Sequence, residues 1–374
     1  MSLFRLRAIA RKEVLHLRRD PRSLILAFLL PVLLTILFGY AISWDVEDIE
    51  TAVLDQDRSK ASRDLLEAFR SSGYFRLSMF LEDPHEIRGI IDRGEVRMVL
   101  VIPPDFTRDL GATMGGRTAL LQAIVDGSDA NTANIAMGYA RGIVQSYSLR
   151  IAFEGMRFRP PIRSETRVWY NEELSSRNMI VPGLVAVIMM IIAAMLTSLT
   201  IAREWERGTM EQLAATPVTR TEVVLGKMLP YIGIGLFDVI AVSAIGVLLF
   251  GVPLRGSPLL LMGLSIAFLV GALGMGMLIS AVTRSQVLAT QVAMVATYMP
   301  SFLLSGFMFD VKVMPRLLEW LTYLIPARYF LVVTRGIFLK GVGAEVLWSQ
   351  GLLMIAFGVA GFVAAVSVFR KELT

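Results

Sequence analysis

Five stretches of this chain carry no charged residue over lengths that cross a lipid bilayer: residues 24–42, 179–201, 258–282, 287–309 and 346–369. A sixth, 228–250, is broken only by Asp238. At 1.5 Å rise per residue, about 20 apolar residues in a helix cover a hydrocarbon core of ~30 Å. Lipid offers no partner to backbone N–H and C=O groups, so runs this long read as helices that satisfy themselves. Composition agrees: 55% of residues are hydrophobic, 18% are charged and the mean hydropathy is +0.60, outside the soluble range. The expected fold class is therefore an α-helical polytopic membrane protein with six transmembrane helices. The first run is too long for a signal-peptide core and is read as uncleaved, with Pro31 as a candidate kink.

Residues 45–178 are a different material. They hold 21 of the 32 acidic residues and 17 of the 37 basic ones, so they belong in water. Short apolar runs alternate with helical patterns: 51–54 then 59–70, 74–80 then 84–92, 97–102 then 104–110, and 119–125 then 130–153. Repeated strand–helix pairs predict an extracytoplasmic α/β domain inserted between the first and second spans. About 130 residues suffice for a core of its own. The Arg-rich end of this segment (Arg157, Arg159, Arg163, Arg167) leaves open a solvated return linker or a contact with headgroups or a partner.

Six spans put both termini on one side. Residues 1–23 carry seven Lys or Arg against two acids, and Arg370-Lys371 follows the last span, so that side is read as cytoplasmic. The expected plan is a cytoplasmic amphipathic basic helix in 1–23, the first span in 24–44, the external domain in 45–178 and a five-helix membrane region in 179–374. The last contains a cytoplasmic loop, 202–227, and an external re-entrant segment, 310–345. That segment carries five Lys or Arg, against the rule, but its apolar content reads as two short interfacial helices broken near Pro326. The five tryptophans, Trp44, Trp169, Trp205, Trp320 and Trp348, fall near predicted interfaces. In the first segment Leu3, Leu6, Ala10, Val14 and Leu17 recur opposite Arg5, Arg7, Arg11, Lys12 and Arg18, which suits an anionic membrane surface or a plain topogenic flank.

Several chemistries find no residues here. A net charge of +5, dispersed, does not suggest nucleic acid. There is no cysteine, and His16 and His85 lack metal-site spacing, so no metal or catalytic residues are assigned. Gly226-Lys227 is the one Gly-Lys pair and has no upstream glycine at phosphate-loop spacing. Any ATP-driven work must come from another polypeptide.

The loop 202–227 carries two helix-start signatures, Thr209-Met-Glu-Gln212 and Thr219-Arg-Thr-Glu222, each fitting a capping box. Pro217 between them limits the first helix to roughly residues 210–215. Met210, Leu213 and Ala214 would share one face, with Glu211 and Gln212 turned away. So short a helix is unstable alone and needs a surface, whether membrane or protein.

The order Glu206, Arg207, Gly208, Thr209, Glu211, Gln212, Leu213, Thr216, Pro217, Glu222, Gly226, Lys227, Pro230, Tyr231 resembles the cytoplasmic loop of ATP-binding cassette (ABC) type-2 permeases. Met299-Pro-Ser-Phe-Leu-Leu-Ser-Gly-Phe307, Met314-Pro315, Leu324-Ile-Pro-Ala-Arg-Tyr-Phe330 and Arg335-Gly-Ile-Phe-Leu-Lys-Gly341 resemble that family's fifth span and re-entrant helices. Asp310 stands where the family usually has proline, and the external domain matches by position and size alone. The resemblance implies a non-enzymatic permease subunit of an ABC exporter in a bacterial inner membrane, moving a drug-like or lipid-like amphiphile outward. It implies a separate ATP-binding subunit that holds ATP and Mg, no cofactor in this chain, and a second permease as homodimer or paired partner. A periplasmic adaptor and membrane lipid complete the implied partners. Glu206, Arg207, Gly208, Thr209, Met210, Glu211, Gln212 and Leu213 would form the ATPase-coupling element. A membrane receptor with an external ligand-binding domain is the alternative, though no cytoplasmic output domain is visible.

Three sets of intramembrane residues complete the reading. A charge at mid-span costs about 2.5–3.5 kcal/mol on insertion scales, so Asp238 is read as a polar lock to a neighbouring helix or partner, or as a substrate or ion contact. Thr290, Thr297, Ser301 and Ser305 fall near one face and either line a translocation path or bond back to their own helix. Gly271, Gly274, Gly276 and Ser280 predict close helix packing, and the 20 methionines would suit a yielding apolar surface or gap filling.

Overall fold

The computed structural model describes residues 2–42, 48–111, 118–152, 169–172 and 175–369. Trp44, the four arginines of 157–167 and Arg370-Lys371 lie outside the described residues. Two compact units emerge: Met1–Ser43 with Arg167–Thr374, and Trp44–Thr166. In chain order the helices are α1 (Leu3–Arg19), α2 (Pro21–Leu24), a π-helical turn (Ile25–Leu29) and α3 (Leu30–Ala41). Strand β1 (Ile49–Asp55), α4 (Lys60–Ser71), β2 (Phe75–Phe80), α5 (Glu86–Asp92), β3 (Met98–Ile102), α6 (Phe106–Gly111), β4 (Gln122–Val125) and α7 (Ala130–Ala152) make up the second unit. The chain then forms α8 (Ser176–Glu206), α9 (Met210–Ala214), α10 (Arg220–Leu248), α11 (Pro258–Thr283) and α12 (Gln286–Leu303). It ends with α13 (Arg316–Thr322), α14 (Pro326–Arg335) and α15 (Ala344–Val368).

The second unit is the α/β domain that the alternating pattern predicts. Its sheet has the order β2-β1-β3-β4, with β2, β1 and β3 parallel and β4 antiparallel on β3. Alternation along β1 sends Ile49 and Val53 to a core with Leu65, Phe69 and Phe75, and Ala52 and Leu54 to a second core with Leu81 and Ile90. Both faces are covered, as a parallel strand requires. Ser59 caps α4, accepting from the Ser62 amide at 3.0 Å while Ser62 Oγ accepts from the Ser59 amide at 3.1 Å.

In the first unit, α8, α10, α11 and α15 are each long and apolar enough to cross a membrane. A bent pair, Arg316–Thr322 with Pro326–Lys340, meets at 78° and makes a fifth span if counted as one. This pair is the segment expected to hold two short helices, and Pro326 does open the second. The remaining two expected spans are helical but shorter, Ile25–Ala41 and Gln286–Leu303. The second of these stops before its apolar run ends because Leu304 leaves the helix and Gly306 turns the chain at φ +89°.

Helix α8 is the axis of this unit, buried along nearly all its length and packed by α11, α12, α14, α10 and α3. Small residues admit the neighbours. A Cβ on Gly274 would lie 2.8 Å from the Gly361 carbonyl carbon of α15, and one on Gly276 would collide with Ala194 and Thr197 of α8. Polar cross-links accompany the close approach: Ser280 Oγ accepts from the amides of Ile201 at 3.0 Å and Ala202 at 2.8 Å, and Thr197 Oγ1 donates to the Leu273 carbonyl at 3.0 Å. Interiors of this kind hold membrane helices together where no hydrophobic driving force separates protein from lipid.

Candidate functional site

The loop expected to carry the function is built between the end of α8 and the start of α10. Gly208, at φ +66°, reverses the chain after Glu206, and α9 follows at once. Pro217 sits in the extended link before α10, which Thr219 caps by accepting from the Glu222 amide at 3.3 Å. Glu222 returns the bond, accepting from the Thr219 amide at 2.9 Å, so the second predicted capping box is formed. Glu222 also accepts from the Ser2 amide at 2.7 Å, and Arg5 donates to the Pro217 carbonyl, which binds the start of α1 to this loop.

The first predicted box is not formed. Thr209 has helical dihedrals, φ −79° and ψ −6°, and its hydroxyl does not reach the α9 amides. Instead it donates to the buried Glu204 carboxylate, a charge-assisted bond, and the helical dihedrals of Thr209 keep its oxygen from the position in which a cap accepts from the α9 amides. The expected face is present in part: Met210 is 2% exposed and Leu213 half-buried, while Glu211 and Gln212 are exposed. Met210 is thus filled into this chain's own interior rather than offered to a partner. Arg207 and Glu206 are also exposed, and both Glu206 oxygens are engaged by the Gln286 amide and side chain.

Beneath the loop lies a charged cluster that sequence reasoning missed. Lys227 of α10 is 3% exposed, and its Nζ is 3.1 Å from Glu13 Oε2 of α1 and 3.2 Å from Glu204 Oε1 of α8. It also donates to the Thr200 carbonyl at 3.3 Å. Tyr231, one turn along α10, donates to Glu13 Oε1 at 3.0 Å, and Lys12 lies 2.8 Å from Glu204 Oε1. Two carboxylates and two ammoniums therefore balance, with hydroxyls filling remaining lone pairs, the condition under which a buried ion pair is tolerable. Glu13, His16 and Glu204 bring ligand atoms within 4.8 Å of one another, but the two ammoniums already meet the carboxylates' charge. Burial pushes the His16 imidazole below its ordinary value, with the Glu13 carboxylate pulling the other way.

The cluster explains a departure on α1. Its buried stripe is Ile9, Glu13 and Leu17, whereas Leu3 and Val14 of the expected apolar face are exposed. A Cβ on Gly226 would lie 2.8 Å from the Ile9 Cβ, so glycine lets α1 sit close enough for Glu13 to reach Lys227. The Gly-Lys pair set aside as a phosphate loop is thus a packing site followed by an ion-pair centre. A signal was present: a lysine about two turns inside a largely apolar helix needs a carboxylate, and Glu13 stands i+4 from Ile9 on α1.

The other candidates fall elsewhere. Thr297, Ser301 and Ser305 are buried and Thr290 half-buried, and the buried stripe of α12 faces its main neighbour, α8. Thr290 and Thr297 donate to the Gln286 and Ala293 carbonyls, and Ser305 Oγ accepts from the Phe307 amide at 3.2 Å. Ser301 Oγ is buried with no partner among the described residues. Asp238 is 1% exposed, and its Oδ2 likewise has no hydrogen-bond partner among them.

Comparison with known proteins follows the same outline. The model of the family described as "ABC-2 family transporter protein" matches residues 21–366. The chain is 41% identical over 360 residues to the Escherichia coli protein named "Probable multidrug ABC transporter permease YbhS", covering 96% of this chain and 95% of that one. It is 33% identical over 375 residues to "Probable multidrug ABC transporter permease YbhR" of Escherichia coli, covering 99% of each. It is 28% identical over 331 residues to "Inner membrane transport permease YhhJ" of Escherichia coli, covering 86% and 85% respectively. With an axis of apolar helices, a charged anchor under a short loop helix and a family match over nearly its whole length, the chain belongs to the ABC-2 family of transporter proteins.

Proposed function

We propose that this chain is the permease subunit of an ABC exporter in a bacterial inner membrane, moving drug-like or lipid-like amphiphiles outward. A separate ATP-binding subunit binds ATP and Mg and supplies the work. The chain crosses the membrane six times with both termini cytoplasmic, the shorter helices Ile25–Ala41 and Gln286–Leu303 serving as first and fifth spans, and the α/β domain stands outside. It works beside a second permease, a homodimer or paired partner, and the external domain meets a periplasmic adaptor. Asp238 meets a partner helix or the substrate, since no group among the described residues bonds its Oδ2.

One observation carries the coupling role. Helix α9 is too short to be stable alone, yet it is held from below by Met210 and by the Thr209–Glu204 bond, while Glu211 and Gln212 face out. A lever needs such an arrangement: a fixed inner side and a polar outer side that an ATPase can grip through rim charges. Through Glu204 and Lys227, force on α9 reaches α8, α10 and α1 together. The test is a reconstituted permease–ATPase pair carrying Glu211→Lys, with Glu86→Lys in the α/β domain as control. Substrate-stimulated ATPase and export should fall together in the first and hold in the second. Equal behaviour of the two variants would remove the coupling role.

A further inference from the structure

Beside the charged cluster, α2, the π-helical turn, the end of α8 and the start of α12 line an open cavity of about 730 Å³. Its volume is that of a site for one amphiphile head and the first part of its chain. One wall is cationic. Arg203 is fixed there, its side chain 12% exposed, with Nη2 2.8 Å from Asp20 and bonds to Ser23 Oγ at 3.3 Å and Gln286 Oε1 at 3.4 Å. Arg19 and Arg207 join it on the rim, exposed and without an ion pair among the described residues. Asp20, the one acid among the described residues lining the cavity, is paired with Arg203; nearby Glu206 keeps its charge but has both oxygens held by the Gln286 amide and side chain. Leu26, Leu199 and Val287 add apolar surface to the lining.

We propose that this cavity binds an amphiphile bearing an anionic phosphate head. Arg19 and Arg207 fork the phosphate oxygens, with Arg203 behind them, and the acyl chain runs along Leu26, Leu199 and Val287. A planar guanidinium matches phosphate in two-pronged fashion, and basic pockets between membrane helices select anionic headgroups. The two rim guanidiniums are the reason to prefer an anion: neither has an ion pair among the described residues, so both are available to a phosphate, and a cationic molecule would be repelled. The proposal rests on reading the chain as a membrane permease, and it names a lipid site on the same end as α9.

The test is native mass spectrometry of the full chain in detergent, with dioleoyl phosphatidylglycerol, dioleoyl phosphatidylcholine and inorganic phosphate as separate probes. Phosphatidylglycerol should be retained about tenfold better than phosphatidylcholine. The double variant Arg19→Gln, Arg207→Gln should lose that preference, and both residues are exposed and without an ion pair among the described residues, so its folding should be unchanged. Leu26→Asn should weaken phosphatidylglycerol and leave inorganic phosphate as it was, separating the amphiphile from a free anion. Equal retention of the two lipids by the unaltered chain overturns the proposal. So does full retention by the double variant, or inorganic phosphate binding as tightly as phosphatidylglycerol. No ATPase or export is measured, so a failure of the coupling role would leave these results untouched.

Discussion

Replacing Lys227 with methionine removes the ammonium while keeping a long apolar stem. Among the described residues Glu13 would then keep only the Tyr231 hydroxyl, and Glu204 would keep Lys12 and Thr209. Lys12 is 42% exposed at its side chain, so solvent screens it and its compensation is partial. Breaking a buried pair by removing one partner costs about 3–5 kcal/mol, and the retained Lys12 argues for the lower end. About 3 kcal/mol multiplies the open population by about a hundred. The group released is α1, whose Ile9 rests on Gly226. Because the chain has no cysteine, Ile9→Cys is a single reporter, and a maleimide will reach it only when α1 lifts. Its labelling rate should rise about a hundredfold when Lys227→Met is added. Arg70→Met, which breaks a surface pair at 4.0 Å, should leave the rate unchanged. A rise of less than about threefold with Lys227→Met would mean that α1 is held by apolar contact alone, and the anchor argument fails.

Thr219→Ala should raise amide exchange across the first turn of α10 about fivefold, the loss of ~1 kcal/mol from a formed cap, whereas Thr209→Ala should raise exchange in α9 by releasing its bond to Glu204 rather than by uncapping the helix. Gly276→Ala should cut the yield of folded protein sharply by driving α11 from α8, while Gly263→Ala, which meets nothing within 4 Å, should be silent; size-exclusion recovery measures both. For the six-span map, cysteines at Ser71, Ser257 and Gly343 should react with an impermeant reagent from outside and one at Ser285 should not; external labelling of Ser285→Cys refutes the map.

The α/β unit was legible because its signals are local. Each strand and helix declares itself within about ten residues, and Ser59, Gly73 and Gly94 mark ends in the chain itself. The glycines of α11 were legible for the same reason, since small residues at helical spacing have few other uses in a membrane. What sequence could not show was pairing at a distance. Thr209 looked like a cap by spacing, but its hydroxyl went to Glu204, whose burial depends on α1 and α10. Asp238 and Lys227 look alike as lone charges in apolar helices; only the packed structure separates the lysine with two carboxylates from the aspartate whose Oδ2 has no partner among the described residues. The π-helical turn at Ile25–Leu29 shifts the register of the first span, and no residue in it signals the shift.

The partners in the anchor are 214 residues apart in the chain, and that distance has a consequence during synthesis. At about 5–20 residues per second, Lys227 leaves the ribosome roughly 10–40 s after Glu13. Until then the Glu13 carboxylate has no ammonium to bury against, and docking it would cost more than leaving it in water. The first helix made is therefore among the last to seat, and it waits outside the bundle while α8 inserts. Chains stalled just before Lys227 should leave Ile9→Cys open to reagent, and chains stalled after the whole of α10 has emerged should close over it. A chain cut short in this interval would keep a loose amino-terminal helix, accessible to a protease that a finished one excludes.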